Sequence, residues 1–214
     1  MQIHYLSSGE LLDVLGPEAS PLSPERDRIL ALSDPDGSLP GARLEAEAIR
    51  KAFPLTESHT GPEATRDRLR NLPPDCRAIH IAAHGLLNAS DPNSTAISLR
   101  GRLRLDEIYG LPLQGVSLVM LSACGSALGE EDPGAEIAGL AQAFSAAGAR
   151  SVVASLWSVS DKATATLVES FYRHLASGAP KAQALRQAEL DVMRQPAFSH
   201  PYYWTAFVLI GDPR

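Results

Sequence analysis

The amino-acid sequence predicts an α/β protein, a three-layer αβα sandwich with helices on both faces of a mostly parallel central sheet. Three observations carry that reading. Apolar strand-like runs recur at residues 28–32, 78–83, 116–123, 151–157 and 204–210, several of them continuous rather than alternating, as strands covered on both faces are. Segments with helical period lie between the runs, so strand and helix alternate along the chain. At 214 residues, 44% of them hydrophobic, the chain is long enough to bury one substantial core.

After the first run, Leu44, Ala48, Ile49 and Ala52 make an amphipathic helix. Ile137, Leu140, Ala141 and Phe144 share a face of a later one, and Gly148 just past its end serves as C-cap. Ser160 is the N-cap of a third helix that turns Thr164, Leu167, Val168, Phe171 and Leu175 to the core and stops near Gly178. Pro180 suits the first turn of a fourth, which continues over residues 181–193 with Leu185, Ala188 and Val192 inward. Residues 17–24 are rich in Pro and Ser, and 130–134, acidic with Pro and Gly, read as an exposed loop. Neither divides the chain and no internal repeat is found, so one domain over residues 1–214 is expected, with 1–26 its least determined segment.

Composition removes several classes of function. A formal net charge of -6 disfavours phosphate backbones and anionic lipids, so neither nucleic acid nor a membrane is an expected partner. The opening MQIHYLSSGELLDVLG lacks the basic-then-apolar order of a secretory signal, and no apolar run approaches the length of a bilayer span, so the expected location is cytoplasmic. The two cysteines, Cys76 and Cys124, are too few for a disulfide scaffold and lack the paired spacing of a zinc site. There is no G-x-S-x-G elbow, no H-E-x-x-H and no Walker or dinucleotide glycine pattern. No cofactor or metal is expected.

Two strands end on residues able to do chemistry. IHIAAHG stops at His84 and LVMLSACGS at Cys124, each followed at once by glycine. In one parallel sheet both side chains emerge at the same edge, where chemistry gathers in α/β folds. A thiol at its usual pKa near ~8.5 is mostly protonated at neutral pH; a neighbouring imidazole takes that proton and can later protonate a leaving amine. Gly85 and Gly125 permit sharp turns, which makes the amides of Gly85 and Cys124 candidate oxyanion donors. Taken singly, a strand-end cysteine is more often a small buried hydrophobe, and a lone histidine a hydrogen-bonded structural group. The matching positions favour a dyad.

These blocks resemble a known family. His84-Gly85 and Ala123-Cys124, each behind an apolar strand, match the His-Gly and Ala-Cys signatures of the caspase-like cysteine peptidases, which include caspases, gingipains, legumains, metacaspases and separases. LSACGSALG, FSAAGARSVVASLWSVSDKAT and HPYYWTAFVLIGD are similar to the CHAT domain, a branch often found with tetratricopeptide repeats in bacterial proteins. The resemblance implies a caspase-like fold, His84 as base, Cys124 as nucleophile and cleavage of a protein or peptide substrate after a selected side chain. It also implies regulation by a partner such as a tetratricopeptide-repeat protein. Where many relatives carry Glu-Thr after the cysteine, this chain has Gly125-Ser126. From a different class, a caspase-like scaffold acting only as an interaction module is the alternative.

Other residues are weighed beside the dyad. Asp161 follows a strand and starts a helix, where an acid complements the dipole; its functional role would be to line the pocket for the residue before the cleaved bond, favouring Arg or Lys. Trp157 and the Tyr202-Tyr203-Trp204 group suit packing, with Trp157 able to wall a pocket beside Cys124. Glu130, Glu131 and Asp132 could attract calcium, but read better as a solvated loop. His80, on the same strand face as Ala82 and His84 but deeper, is read as structural, and Cys76 as incidental.

Overall fold

Continuous apolar strands need a cover on each face, and the architecture supplies two. The computed structural model describes residues 20–87, 95–122, 125–127 and 133–214, with backbone alone at 87, 125–127 and 133–137. In chain order the elements are β1 (Arg28–Ser33), α1 (Pro40–Ala52), β2 (Glu57–Thr60), α2 (Asp67–Arg70), β3 (Cys76–Ala82), β4 (Gly85–Leu87), β5 (Ala96–Ile97) and β6 (Leu103–Arg104). There follow α3 (Leu105–Ile108), β7 (Leu118–Leu121), β8 (Gly125–Ala127), α4 (Pro133–Ala146), β9 (Ser151–Ser155), α5 (Asp161–Ala176), α6 (Lys181–Met193) and β10 (Phe207–Gly211). Six strands form the central sheet in the order β10-β9-β7-β3-β1-β2. All neighbours run parallel except β10, which pairs antiparallel with β9.

The two-residue period of a strand sorts the side chains between two cores. Ala78, Leu118, Met120 and Val153 face one way, meeting Ile49 of α1 and Phe53 just past its end, Leu167 and Phe171 of α5 and Leu185 of α6. Ile79, Ile81, Val119, Leu121, Val152 and Ala154 face the other, against Leu69 of α2, Ile108 of α3 and Leu140 and Phe144 of α4. Phe53, Phe144 and Phe171 are completely buried, each stabilising the fold by about 1.5–3 kcal/mol relative to exposure. The αβα sandwich is thus the expected one.

Local signals hold where neighbouring residues decide them. The Ser160 hydroxyl accepts from the Ala163 amide at 3.4 Å and opens α5, and Thr164, Leu167, Val168, Phe171 and Leu175 are all buried. Gly148 ends α4 at φ 115°. A Cβ there would also lie 2.9 Å from the Gln114 amide nitrogen, so both conformation and space require glycine.

The strands are shorter than the apolar runs: Ala83 lies beyond β3 and Trp157 beyond β9. Residues 133–134 are not loop but the first turn of α4, while 130–132 lie outside the described residues. On α1 the inward face holds Ala42, Glu45, Ala46 and Ile49. Leu44 is 54% exposed and lines an open groove between α1 and α5 with Ala48, Lys51, Lys162 and Phe198. Helical period alone brings Leu44 inward; the sheet instead offers Glu45 a buried partner, described below. A second sheet, β6-β5-β4-β8, has strands of two or three residues, too short to leave a periodic trace.

Candidate active site

Four parallel strands, β1, β3, β7 and β9, end on one edge of the central sheet. His84 follows β3 by two residues. In the pairing of β3 with β7, Ile81 stands opposite Leu121. Beyond that edge the two segments pair again, β4 parallel to β8, with Gly85 opposite Gly125. The offset is forty residues on both sides of the gap, and the same offset separates position 84 from 124 in the sequence. Cys124 itself lies outside the described residues, as do Glu130, Glu131 and Asp132.

His84 is half-buried, and its backbone carbonyl accepts from the Ser98 amide at 2.8 Å, which anchors the turn from β3 into β4. Its Nε2 is 2.7 Å from the Ser38 hydroxyl. Ser38 donates to Asp36 Oδ1 at 2.6 Å through its hydroxyl and at 3.1 Å through its amide. Those two Ser38 donors, with the charge of His84, hold the Asp36 carboxyl below the usual carboxylate range. Neither Asp36 nor Ser38 stands out in a search for dyads. The signal available was SDPDGS, a turn sequence directly after the first strand.

That turn is held by Asp34, which is fully buried with φ at 50°. Aspartate is among the few residues that tolerate this left-handed region. Its amide donates to the Ala82 carbonyl at 2.9 Å, tying the β1 loop to the end of β3. Its Oδ1 accepts from the Leu39 amide at 2.8 Å and its Oδ2 from Arg43 Nε at 2.7 Å. The loop carrying Asp36 and Ser38 is therefore fixed at both ends.

Beneath the edge lies a buried polar cluster. His80, wholly inaccessible, sits with Nε2 3.0 Å from Glu45 Oε2. The Ser122 hydroxyl donates to Glu45 Oε1 at 3.2 Å. The Tyr172 hydroxyl is 3.4 Å from His80 Nδ1, and the two rings meet edge-on at 5.7 Å. The buried Glu45 side chain thus has polar neighbours in Ser122 and His80, as a buried polar group requires.

Trp157 is half-buried just past β9, stacked on Tyr202 at 6.3 Å with its Nε1 donating to the Tyr202 carbonyl at 3.0 Å. The Tyr202 hydroxyl donates in turn to the Ser158 carbonyl at 2.5 Å. Asp161 begins α5, and its Oδ2 accepts from the Gly41 amide in the first turn of α1 at 3.4 Å. One carboxylate thus serves two helix N-termini, where negative charge is favoured. A Cβ on Gly41 would lie 2.5 Å from Asp161 Cβ. Gly41 is three residues from Ser38, so Asp161 and His84 attach to the same β1–α1 junction.

Cys76 stands apart, at the opposite end of β3 from His84. It is buried, its Sγ donates to the Ala78 carbonyl, and burial pushes the thiol up to about 11. Such a thiol is inert at neutral pH. Among the described residues no group of three or more His, Cys, Asp or Glu is arranged to hold a metal ion, and no helix is long and apolar enough to cross a membrane.

Comparison with known proteins places this geometry. The sequence pattern of the CHAT domain matches residues 1–212. Separase in the Saccharomyces cerevisiae separase–securin complex superposes on 100% of this chain and 14% of its own length, with a TM-score of 0.65 at 15% identity. The Arg-specific cysteine proteinase gingipain R superposes on 95% of this chain and 51% of its own, with a TM-score of 0.64 at 10% identity. At these identities the likeness is one of fold, and it is caspase-like. In sequence, mouse tetratricopeptide repeat protein 28 is 40% identical over 97 residues, 45% of this chain. The human protein is 42% identical over 73 residues. The match spans only 4% of the mouse protein and 3% of the human one.

Proposed function

The chain belongs to the CHAT domain family, and on that premise we propose that it is a cysteine endopeptidase in which Cys124 is the nucleophile and His84 the general acid/base. The imidazole takes the Sγ proton as the thiolate attacks the scissile carbonyl, and returns it to the amine as the C–N bond breaks. Water then hydrolyses the thioester. The amides of Gly85 and Cys124 hold the oxyanion, while Asp161 and Trp157 line the pocket for a basic residue before the cleaved bond. No cofactor is required by this chemistry.

The observation that carries the proposal is the forty-residue offset kept by Ile81 with Leu121 and by Gly85 with Gly125, which brackets His84 and Cys124. The likeness to tetratricopeptide repeat protein 28 supports a repeat protein as regulatory partner. The test is covalent labelling by a peptidyl electrophile carrying Arg or Lys next to the warhead, with and without candidate partners. Labelling of Cys124 that disappears in His84→Ala is expected. A folded protein that resists labelling in every condition would instead be an interaction module.

A further inference from the structure

We propose that Asp36 and Ser38 form a relay that sets the tautomer of His84, placing the ring proton on Nε2 and leaving Nδ1 as the basic nitrogen. The inference deepens the acid/base role given to His84 and rests on it. A serine hydroxyl has one proton, and an ionised carboxylate only accepts. At 2.6 Å, the Ser38–Asp36 contact has the length of a charge-assisted O–H···O⁻ bond, so the hydroxyl proton is committed to Asp36. Ser38 Oγ then offers only lone pairs to the imidazole 2.7 Å away. Two lone pairs do not meet at that distance, so Nε2 brings the proton. A neutral imidazole has one N–H, and Nδ1 is therefore bare.

The low-lying Asp36 carboxyl keeps the relay in this polarity at neutral pH. The Asp34 clamp, with its bonds to Ala82, Leu39 and Arg43, keeps Ser38 in place before any substrate arrives. When Nδ1 accepts the thiol proton, the imidazolium still donates from Nε2 to Ser38. No proton travels along the relay. Ser38 and Asp36 are positioning residues that act through His84.

The test reads the tautomer directly, in ¹⁵N-histidine-labelled Cys124→Ala protein at alkaline pH, where the ring is neutral. Two-bond ¹H–¹⁵N correlations, assigned to His84 by their loss in His84→Gln, are expected to show the proton on Nε2. In Asp36→Ala the freed hydroxyl rotates to donate to Nε2, so the Nδ1–H form should gain several-fold. Ser38→Ala should leave a solvent-like mixture, and Ser38→Thr should restore the original state. In protein with Cys124 intact, Ser38→Ala should lower kcat about tenfold with KM little changed, again rescued by threonine. An Nδ1–H ring in the parent protein, or a tautomer indifferent to Asp36→Ala, overturns the relay. The tautomer shift without any peptidase activity would support the relay and defeat the endopeptidase proposal instead.

Discussion

At the amino edge of the central sheet Asp212 is fully buried among Arg150, Arg214 and Ser151, whereas at the carboxyl edge Asp36, Ser38 and His84 meet in contact with solvent. The same strands build both edges. At the first, burial works to raise the Asp212 pKa, but the Arg214 hydrogen bonds outweigh it and hold the carboxyl at about 2. Burial there lowers Lys181 to about 8 and raises Cys76 to about 11. There Asp212 is paired with Arg150 and Arg214, and its backbone carbonyl accepts from the Ser151 hydroxyl at 2.7 Å. At the second edge His84 is half-buried, with Ser38 at its Nε2. Inward closure makes a structural clasp, whereas polar groups fixed by a loop at the solvent suit the role proposed for His84.

The sharpest break of that contrast is covalent. Cys124→Ala or His84→Ala should each reduce electrophile labelling or turnover at least about a thousandfold, with an unchanged melting temperature, measured by labelling and calorimetry on one preparation. Next is the cluster under the carboxyl edge. Glu45→Ala removes the His80 contact and the acceptor of the buried Ser122 hydroxyl and should cost about 1–3 kcal/mol, read as a lower denaturation midpoint; a change well under about 1 kcal/mol would show the cluster to be dispensable.

Asp212→Asn tests the amino edge. The folded pKa lies below the ordinary 3.8, so the native state binds this proton less tightly than the unfolded chain. The resulting stability is present above about pH 4 and lost as pH falls through about 2. The variant should therefore be about 2 kcal/mol less stable at neutral pH, with the gap closing in acid and labelling of Cys124 untouched. The smallest effect is Cys76→Ala: about 1 kcal/mol or less from lost packing, with full labelling retained. Loss of labelling would move the reactive thiol to the wrong edge.

Much of the frame was legible because it is decided locally. Ser160 caps α5 through a residue three places away, and Gly148 answers a backbone requirement at its own position. Continuous apolar runs declared strands buried on two faces, and equal strand-end positions nominated His84 with Cys124. Strand order was not legible, nor were contacts created by it. Ser38 reaches His84 because β1 lies beside β3, so that Ser33 stands opposite Ala82 and their following loops adjoin. Glu45 turns inward, and Leu44 outward, because His80 waits across α1 on the sheet. By itself the sequence determined which segments become strands and helices and which side chains carry reactive atoms, since periodicity and capping act over a few residues. Only the tertiary structure decided which of those atoms meet, because pairing distant strands fixes neighbours that no short stretch of chain encodes.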